Sequence, residues 1–219
     1  MKNKTTLYHF IVDQSGSMEG MEQQTIEGFN TQLEKIQELE KQMPEQKFLC
    51  SLTFFNSTVH DLIRNEPVKQ IELLNNNNYR PKGMTALLDA VGGSIDGIEK
   101  QYGEDLKKDE MSVVMVIITD GYENASRYFT YHMVAKKIAN LDKTGKWTFS
   151  YLGADFDAIH TSQMMNIRKE NAMNFSKKNY SHMMDDLSDS IDVYAREKRK
   201  GNLKRDILDI FKKKDRRED

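Results

Sequence analysis

A single cysteine, Cys50, occurs in 219 residues, so the chain cannot close a disulfide on itself. It lies in Phe48-Leu49-Cys50-Ser51-Leu52, where a thiol serves as a small buried hydrophobe rather than a reactive group. Long apolar runs are missing too, and no segment has the roughly twenty apolar residues that crossing a bilayer takes. Asp13 interrupts the first apolar stretch too early for a secretory leader, so a reducing, cytoplasmic setting is expected. Charge of one sign is scarce: 32 basic and 34 acidic residues leave a net of −2, which favours neither nucleic acid nor a membrane surface as partner. The five histidines show no H-E-x-x-H or H-x-x-E-H spacing, and neither a P-loop nor a G-x-S-x-G elbow is present. These absences argue against an enzyme.

What is present is an alternation of strand-like and helix-like segments, the pattern of an α/β domain with a mostly parallel sheet. Strands are expected over residues 5–12, 47–55, 58–64, 112–119 and 147–152, with a small edge strand near 172–175. Only Asn56 and Ser57 separate the second and third, which predicts an antiparallel hairpin at the sheet edge. Helices are expected over 19–43, 85–102, 129–141, 156–165 and 179–195. In the first, Ile26, Phe29, Leu33, Ile36 and Leu39 recur at three- and four-residue steps, and Pro44 ends it. In the last, Tyr180, Met183, Leu187, Ile191 and Tyr194 form a similar stripe, read as core. Gly92, Gly93 and Gly97 interrupt the second helix, and close approach of that helix to the sheet is their expected use. The expected fold is therefore a doubly wound, mainly parallel sheet with one antiparallel edge strand and helices on both faces.

The chemistry begins where the first strand ends. Asp13-Gln14-Ser15-Gly16-Ser17 puts one carboxylate and two hydroxyls at alternate positions, with Gly16 freeing the backbone between them. Ligands of open α/β sheets bind at the carboxyl ends of the strands. A second carboxylate, Asp120 in Thr119-Asp120-Gly121, closes the unbroken apolar run 112–119, and Thr85 stands where a loop enters the second helix. If the first and fourth strands are neighbours and the chain order reverses between them, all five groups face one crevice. Oxygen donors of this kind suit a hard divalent cation. Two carboxylates with three neutral hydroxyls leave at least one coordination position for water or an acid from outside.

These residues resemble the metal-ion-dependent adhesion site of the von Willebrand factor type A family: D-x-S-x-S at Asp13, Ser15 and Ser17, a distant threonine at Thr85, and T-D-G at Asp120. The order of elements resembles the family over roughly residues 5–195. The resemblance implies that Ser15, Ser17 and Thr85 contact the metal directly, and that Asp13 and Asp120 act partly through water. Met84 stands where many relatives have a second glycine. Asp89, one turn after Thr85, is placed to orient that loop or a metal-bound water, or is simply a first-turn helix acid. Glu123 and Arg127 are expected on the rim, in a solvated loop.

The expected function is a non-enzymatic binding module in which Mg²⁺, or Mn²⁺ or Ca²⁺, bridges the domain to an Asp or Glu of a protein partner, within a larger assembly. Two alternatives compete with it. A metal-dependent phosphoester hydrolase would want a second acid two residues after Asp13, where Ser15 stands. An interaction protein with a structural metal would work through its C-terminus. There, residues 198–219 form a charged amphipathic helix or tail, set apart from a domain at 1–197, with Leu203, Ile207, Ile210 and Phe211 on one face and Gly201 as the break before it. Residues 195–219 hold 11 basic and 6 acidic side chains, a local net of +5 against −7 for the rest.

Overall fold

The computed structural model describes residues 5–154 and 158–201. The strands are β1 (Thr5–Asp13), β2 (Lys47–Phe55), β3 (Val59–Pro67), β4 (Met111–Thr119), β5 (Trp147–Gly153) and β6 (Ala172–Asn174). The helices are α1 (Glu22–Gln42), α2 (Leu87–Lys107), α3 (Tyr131–Lys143), α4 (Ala158–Met164) and α5 (Tyr180–Arg199). One sheet takes the order β3-β2-β1-β4-β5-β6, parallel throughout except for the β2–β3 hairpin at its edge. The chain runs outward from β1 through β2 to β3 and then returns to build β4, β5 and β6 on the other side. β1 and β4 are therefore the neighbours between which the winding reverses.

Helices cover both faces because each central strand is apolar on both sides. Tyr8, Phe10, Val12, Val114, Val116 and Ile118 meet α1 and α5, while Leu7, Ile11, Val113, Met115 and Ile117 meet α2 and α3. The stripe expected on α1 is buried at every position, and each large apolar side chain so buried contributes about 1.5–3 kcal/mol. α1 crosses α5 closely at Gly28, where an added Cβ would lie 2.8 Å from the Met184 side chain. Beside that contact the Gln32 amide donates to Met184 O at 2.7 Å.

Three expectations need correction. The first helix begins at Glu22 rather than residue 19, because Gly16–Met18 form a 3-10 turn and Gly20 takes φ +82°. β3 runs on to Pro67 because a register shift against β2 and a left-handed Asn65 (φ 52°) absorb the irregularity. Of the α2 glycines, only Gly92 makes a close approach, and to the Phe129 ring rather than the sheet. A Cβ on Gly93 or Gly97 would meet nothing within 4 Å.

α5 continues through the boundary set at residue 198. Lys198 is buried, and its Nζ donates to Thr5 O, Thr6 Oγ1 and Ser112 Oγ at 3.1, 2.5 and 2.6 Å, fastening the helix end to the base of β1 and β4. Burial pushes its pKa down to about 7. The helix stops where Gly201 takes φ +86°. The amphipathic stripe expected beyond it, Leu203 to Phe211, lies outside the described residues. Among the described residues no helix is long and apolar enough to cross a membrane.

Candidate metal centre

Asp13 is the last residue of β1 and is fully buried. Its Oδ1 accepts from the Ser15 amide at 2.7 Å and its Oδ2 from the Thr119 hydroxyl at 2.6 Å. Thr119 ends β4, the strand beside β1, so the reversal of winding brings the two side chains together. The Tyr79 hydroxyl donates to Asp13 O at 2.5 Å and fixes the strand end from the opposite side. Burial pushes the Asp13 carboxyl up to about 6 despite the Thr119 and Ser15 hydrogen bonds, so its charge is costly without a nearby cation.

The hydroxyl donors sit on two loops that lie against each other. Gly16 N donates to Gly83 O at 3.0 Å and Lys82 N to Gln14 O at 2.9 Å. Gly83 takes φ +79°, and a Cβ there would meet Ser57 Oγ at 2.8 Å, so both backbone angle and space demand glycine. Ser57 Oγ accepts from Met84 N at 2.9 Å, and Thr85 N donates to the Asn124 side-chain carbonyl at 2.8 Å. The amides of Asn124 and Ala125 return to Thr85 O at 3.0 and 3.2 Å. Thr85 is thus held in the loop, and α2 starts only at Leu87.

These contacts place the donors as follows. Ser15 Oγ and Ser17 Oγ are 3.0 Å apart. A methyl group built on Gly121 would lie 3.0 Å from Thr85 Oγ1, 3.1 Å from Ser17 Oγ and 3.4 Å from Asp13 Oδ2. Oxygens from the loop after β1 and from Thr85 therefore face one point beside Gly121, a space that a side chain there would crowd. Asp120 follows Thr119, with its side chain 5% exposed, and the Lys177 ammonium stands 4.0 Å from its Oδ2 while donating to Ser17 O and Glu19 O at 3.1 Å each. The donors are all oxygen, the kind a hard divalent cation takes. Among the described residues no cluster of three or more His, Cys, Asp or Glu offers another kind of metal cage.

A family model for the von Willebrand factor type A domain matches residues 9–190. The chain belongs to that family. Domains of this family are generally interaction modules rather than enzymes, and some bind partners through a metal. Solved vWA structures share the fold at low identity. The vWF domain of the type V pili tip protein Mfa5 from Porphyromonas gingivalis has a TM-score of 0.58 at 10% identity, over 87% of this chain and 96% of that one. The manganese-loaded TRAP protein of Plasmodium vivax has a TM-score of 0.54 at 14% identity, over 84% and 73%. Proximal thread matrix protein 1 from the mussel byssus, with a zinc-occupied MIDAS motif, has 0.52 at 12%, over 86% and 46%. The chain spans 42–46% of the length of several others, among them VWA2 from Sulfolobus acidocaldarius at 44%. No curated protein sequence matches it.

Several residues that organise this vWA domain's loops carry no signal in the sequence. Glu123 is one, and the solvated rim expected for it needs correction. Its carboxylate accepts from Leu88 N, Ala125 N, Ser126 N and Ser126 Oγ at 2.9, 3.0, 2.8 and 2.7 Å, capping α2 from a loop 35 residues away. Asp89, in the first turn of α2, accepts from the amides of Arg127, Tyr128 and Phe129 at 2.8, 2.9 and 2.9 Å. Helix start and loop 121–129 hold each other through this exchange of carboxylates. Tyr79, Asn124 and Lys177 were equally invisible, because each acts on a segment remote in sequence. Thr119 is the exception: its place at the end of a buried strand marked it.

Proposed function

We propose that this vWA domain holds a divalent cation, Mg²⁺ or alternatively Mn²⁺ or Ca²⁺, on Asp13, Ser15, Ser17, Thr85 and Asp120, and so recognises an Asp or Glu side chain of a protein partner. The observation that carries this reading is the convergence of Thr85 Oγ1, Ser17 Oγ and Asp13 Oδ2 on one point beside Gly121. Two carboxylates balance the charge of a divalent cation, but five donors leave at least one coordination position open, which an outer carboxylate fills. Asp13 is engaged at both oxygens by the Ser15 amide and the Thr119 hydroxyl, which makes it a holder of charge and a poor nucleophile. That favours recognition over phosphoester hydrolysis.

Met84, beside Thr85, and Tyr122, beside Gly121, are exposed at 52% and 60% and offer an apolar and aromatic rim for a protein surface. The manganese in the Plasmodium relative and the zinc in the byssus protein support a divalent cation. The pilus proteins among the structural relatives, SpaC and Mfa5, support a place in a larger assembly.

Calorimetric titration of metal-free protein with Mg²⁺ and Mn²⁺ tests this reading. Saturable one-site binding, weakened at least about tenfold by Thr85→Ala and by Asp13→Ala, is expected. Acetate, as a carboxylate surrogate, then binds only with the metal present. No binding by folded wild-type protein overturns the reading.

A further inference from the structure

Lys177 brings a positive charge to the metal centre from a turn that lies outside all the donor segments. β6 ends at Asn174, and Phe175 N donates to Gly153 O at 2.8 Å, which keeps the chain against the end of β5. The Phe175 ring packs edge to face on Tyr180, the first residue of α5, with centroids 5.2 Å apart, and both are buried. Between these anchors Asn179 Oδ1 accepts from Ser176 N and Ser176 Oγ at 2.5 and 3.1 Å, and Asn179 N donates to Ser176 O at 3.0 Å. Lys177 therefore stands on a braced turn pinned to the core at both ends.

Holding a long lysine side chain in one place costs rotamer freedom, and the Lys177 side chain is half exposed, yet its head is fixed. Nζ donates to Ser17 O and Glu19 O at 3.1 Å each and lies 4.0 Å from Asp120 Oδ2. Ser17 and Asp120 are both candidate donors, so the ammonium is fastened to the loop that carries one and beside the carboxylate of the other. An ammonium has three N–H donors and no lone pair, so it cannot ligate a metal. It acts on a cation at this site through its charge.

The sign of that action follows from the charges present. Asp13 and Asp120 as carboxylates balance a divalent cation, and Ser15, Ser17 and Thr85 add no charge, so donors and metal together are neutral. Lys177 leaves the group with one positive charge over. Before any outer acid arrives, the ammonium repels the metal and lowers its affinity. Once an outer carboxylate fills the open position, that carboxylate cancels the excess. A neutral amide or a water in the same position leaves it uncancelled.

We propose that Lys177 is the second cation of this recognition site, weakening the hold on a lone divalent ion and favouring that ion together with an acidic side chain, so that metal and partner bind cooperatively. Resting on the metal site proposed above, this makes Lys177 a selectivity residue that touches no metal: it favours a charged acid over a neutral group as the last ligand. By linkage, whatever the acid gains from the metal the metal gains from the acid, and Lys177 enlarges that shared gain.

The full chain, freed of metal, is titrated with Mg²⁺ by calorimetry at low ionic strength, in sodium chloride and in sodium acetate of equal ionic strength, with affinities referred to free Mg²⁺. Wild type is compared with Lys177→Met, which keeps the apolar stem and removes the charge, and with Lys177→Arg, which keeps the charge. In chloride, Lys177→Met is expected to bind Mg²⁺ at least about threefold more tightly than wild type, a gap that about 0.5 M salt narrows by screening. The gain in Mg²⁺ affinity on replacing chloride by acetate is expected to be smaller in Lys177→Met than in wild type, and Lys177→Arg to follow wild type in both. The side chain is half exposed, so both variants should fold, which circular dichroism checks. A lysine that merely tethers the Ser17 loop predicts the opposite sign, weaker Mg²⁺ binding in Lys177→Met, and that result overturns the proposal. So does unchanged affinity, or an equal gain from acetate in the two proteins. Absence of Mg²⁺ binding in all three folded proteins removes the metal site itself and this role with it, whereas binding by wild type that Lys177→Met leaves unchanged removes the role of Lys177 alone.

Discussion

Side chains on the two faces of β1 meet different surroundings. On one face Tyr8, Phe10 and Val12 enter the layer of α1 and α5, where Phe10 and Phe29 pack edge to face with centroids 5.5 Å apart. On the other, Leu7 and Ile11 enter the layer of α2 and α3, but His9 between them lines a cleft between α2 and the edge hairpin, and Asp13 after them opens on the candidate metal centre. The first layer is closed by packing, with Gly28 letting α1 and α5 approach. The second is held at its upper end by carboxylates that cap backbone amides, Glu123 and Asp89, and its glycines face space. One layer is closed by packing, and the other gives up contacts beside a cleft and beside the candidate metal centre.

This contrast can be broken by experiment. Phe29→Ala, in the closed layer, is expected to cost about 3–5 kcal/mol in urea unfolding, the usual toll for emptying an aromatic site in a tight core. Glu123→Ala leaves the amides of Leu88, Ala125 and Ser126 without their acceptor and should cost about 1–3 kcal/mol, less than the core change. It should also weaken Mg²⁺ binding, because Thr85 is held by Asn124 in the same loop; a variant that unfolds earlier yet binds Mg²⁺ unchanged would separate the loop from the donors.

Lys198 is the buried cation of the closed layer and sharpens the comparison through pH. Its folded pKa is lowered to about 7, so the unfolded chain holds more protons than the folded one from there to about pH 10.4. Stability contributed by this group therefore rises with pH through that window, by at most about 1.4 kcal/mol per pH unit. Lys198→Met should flatten that rise in chemical denaturation between pH 7 and 10, and an unchanged slope would assign it to other groups. The smallest effect is expected of Gly97→Ala: with nothing near the new methyl, it should raise stability by about 0.5–1 kcal/mol, measured by thermal melting. A loss there would mean that the α2 wall packs more closely than its open side implies.

Much of the fold was legible because periodicity is a local property. The apolar runs of β1 and β4 mark strands covered on both faces and the three–four stepping of α1 marks the one face it buries, and the structure buries them all. The hairpin was legible from Asn56 and Ser57 alone. Helix starts were less so, since α2 has no side-chain cap of its own and takes Glu123 and Ser126 from a distant loop. The five candidate donors were named from short strings at strand and helix ends, whereas Tyr79, Asn124 and Lys177 stand in polar loops with no pattern to mark them.

The sequence by itself determined the order of the elements, the face each presents to the core and the residue types available at the strand ends, because these follow from spacing along a few turns of chain. Only the tertiary structure decided that Asp13, Ser17 and Thr85 meet beside Gly121, that Gly92 serves packing while Gly93 and Gly97 line a cleft, and that Lys177 stands beside Asp120. Those outcomes depend on strand order and loop paths that bring together residues tens of positions apart, and no local spacing encodes the distance between them.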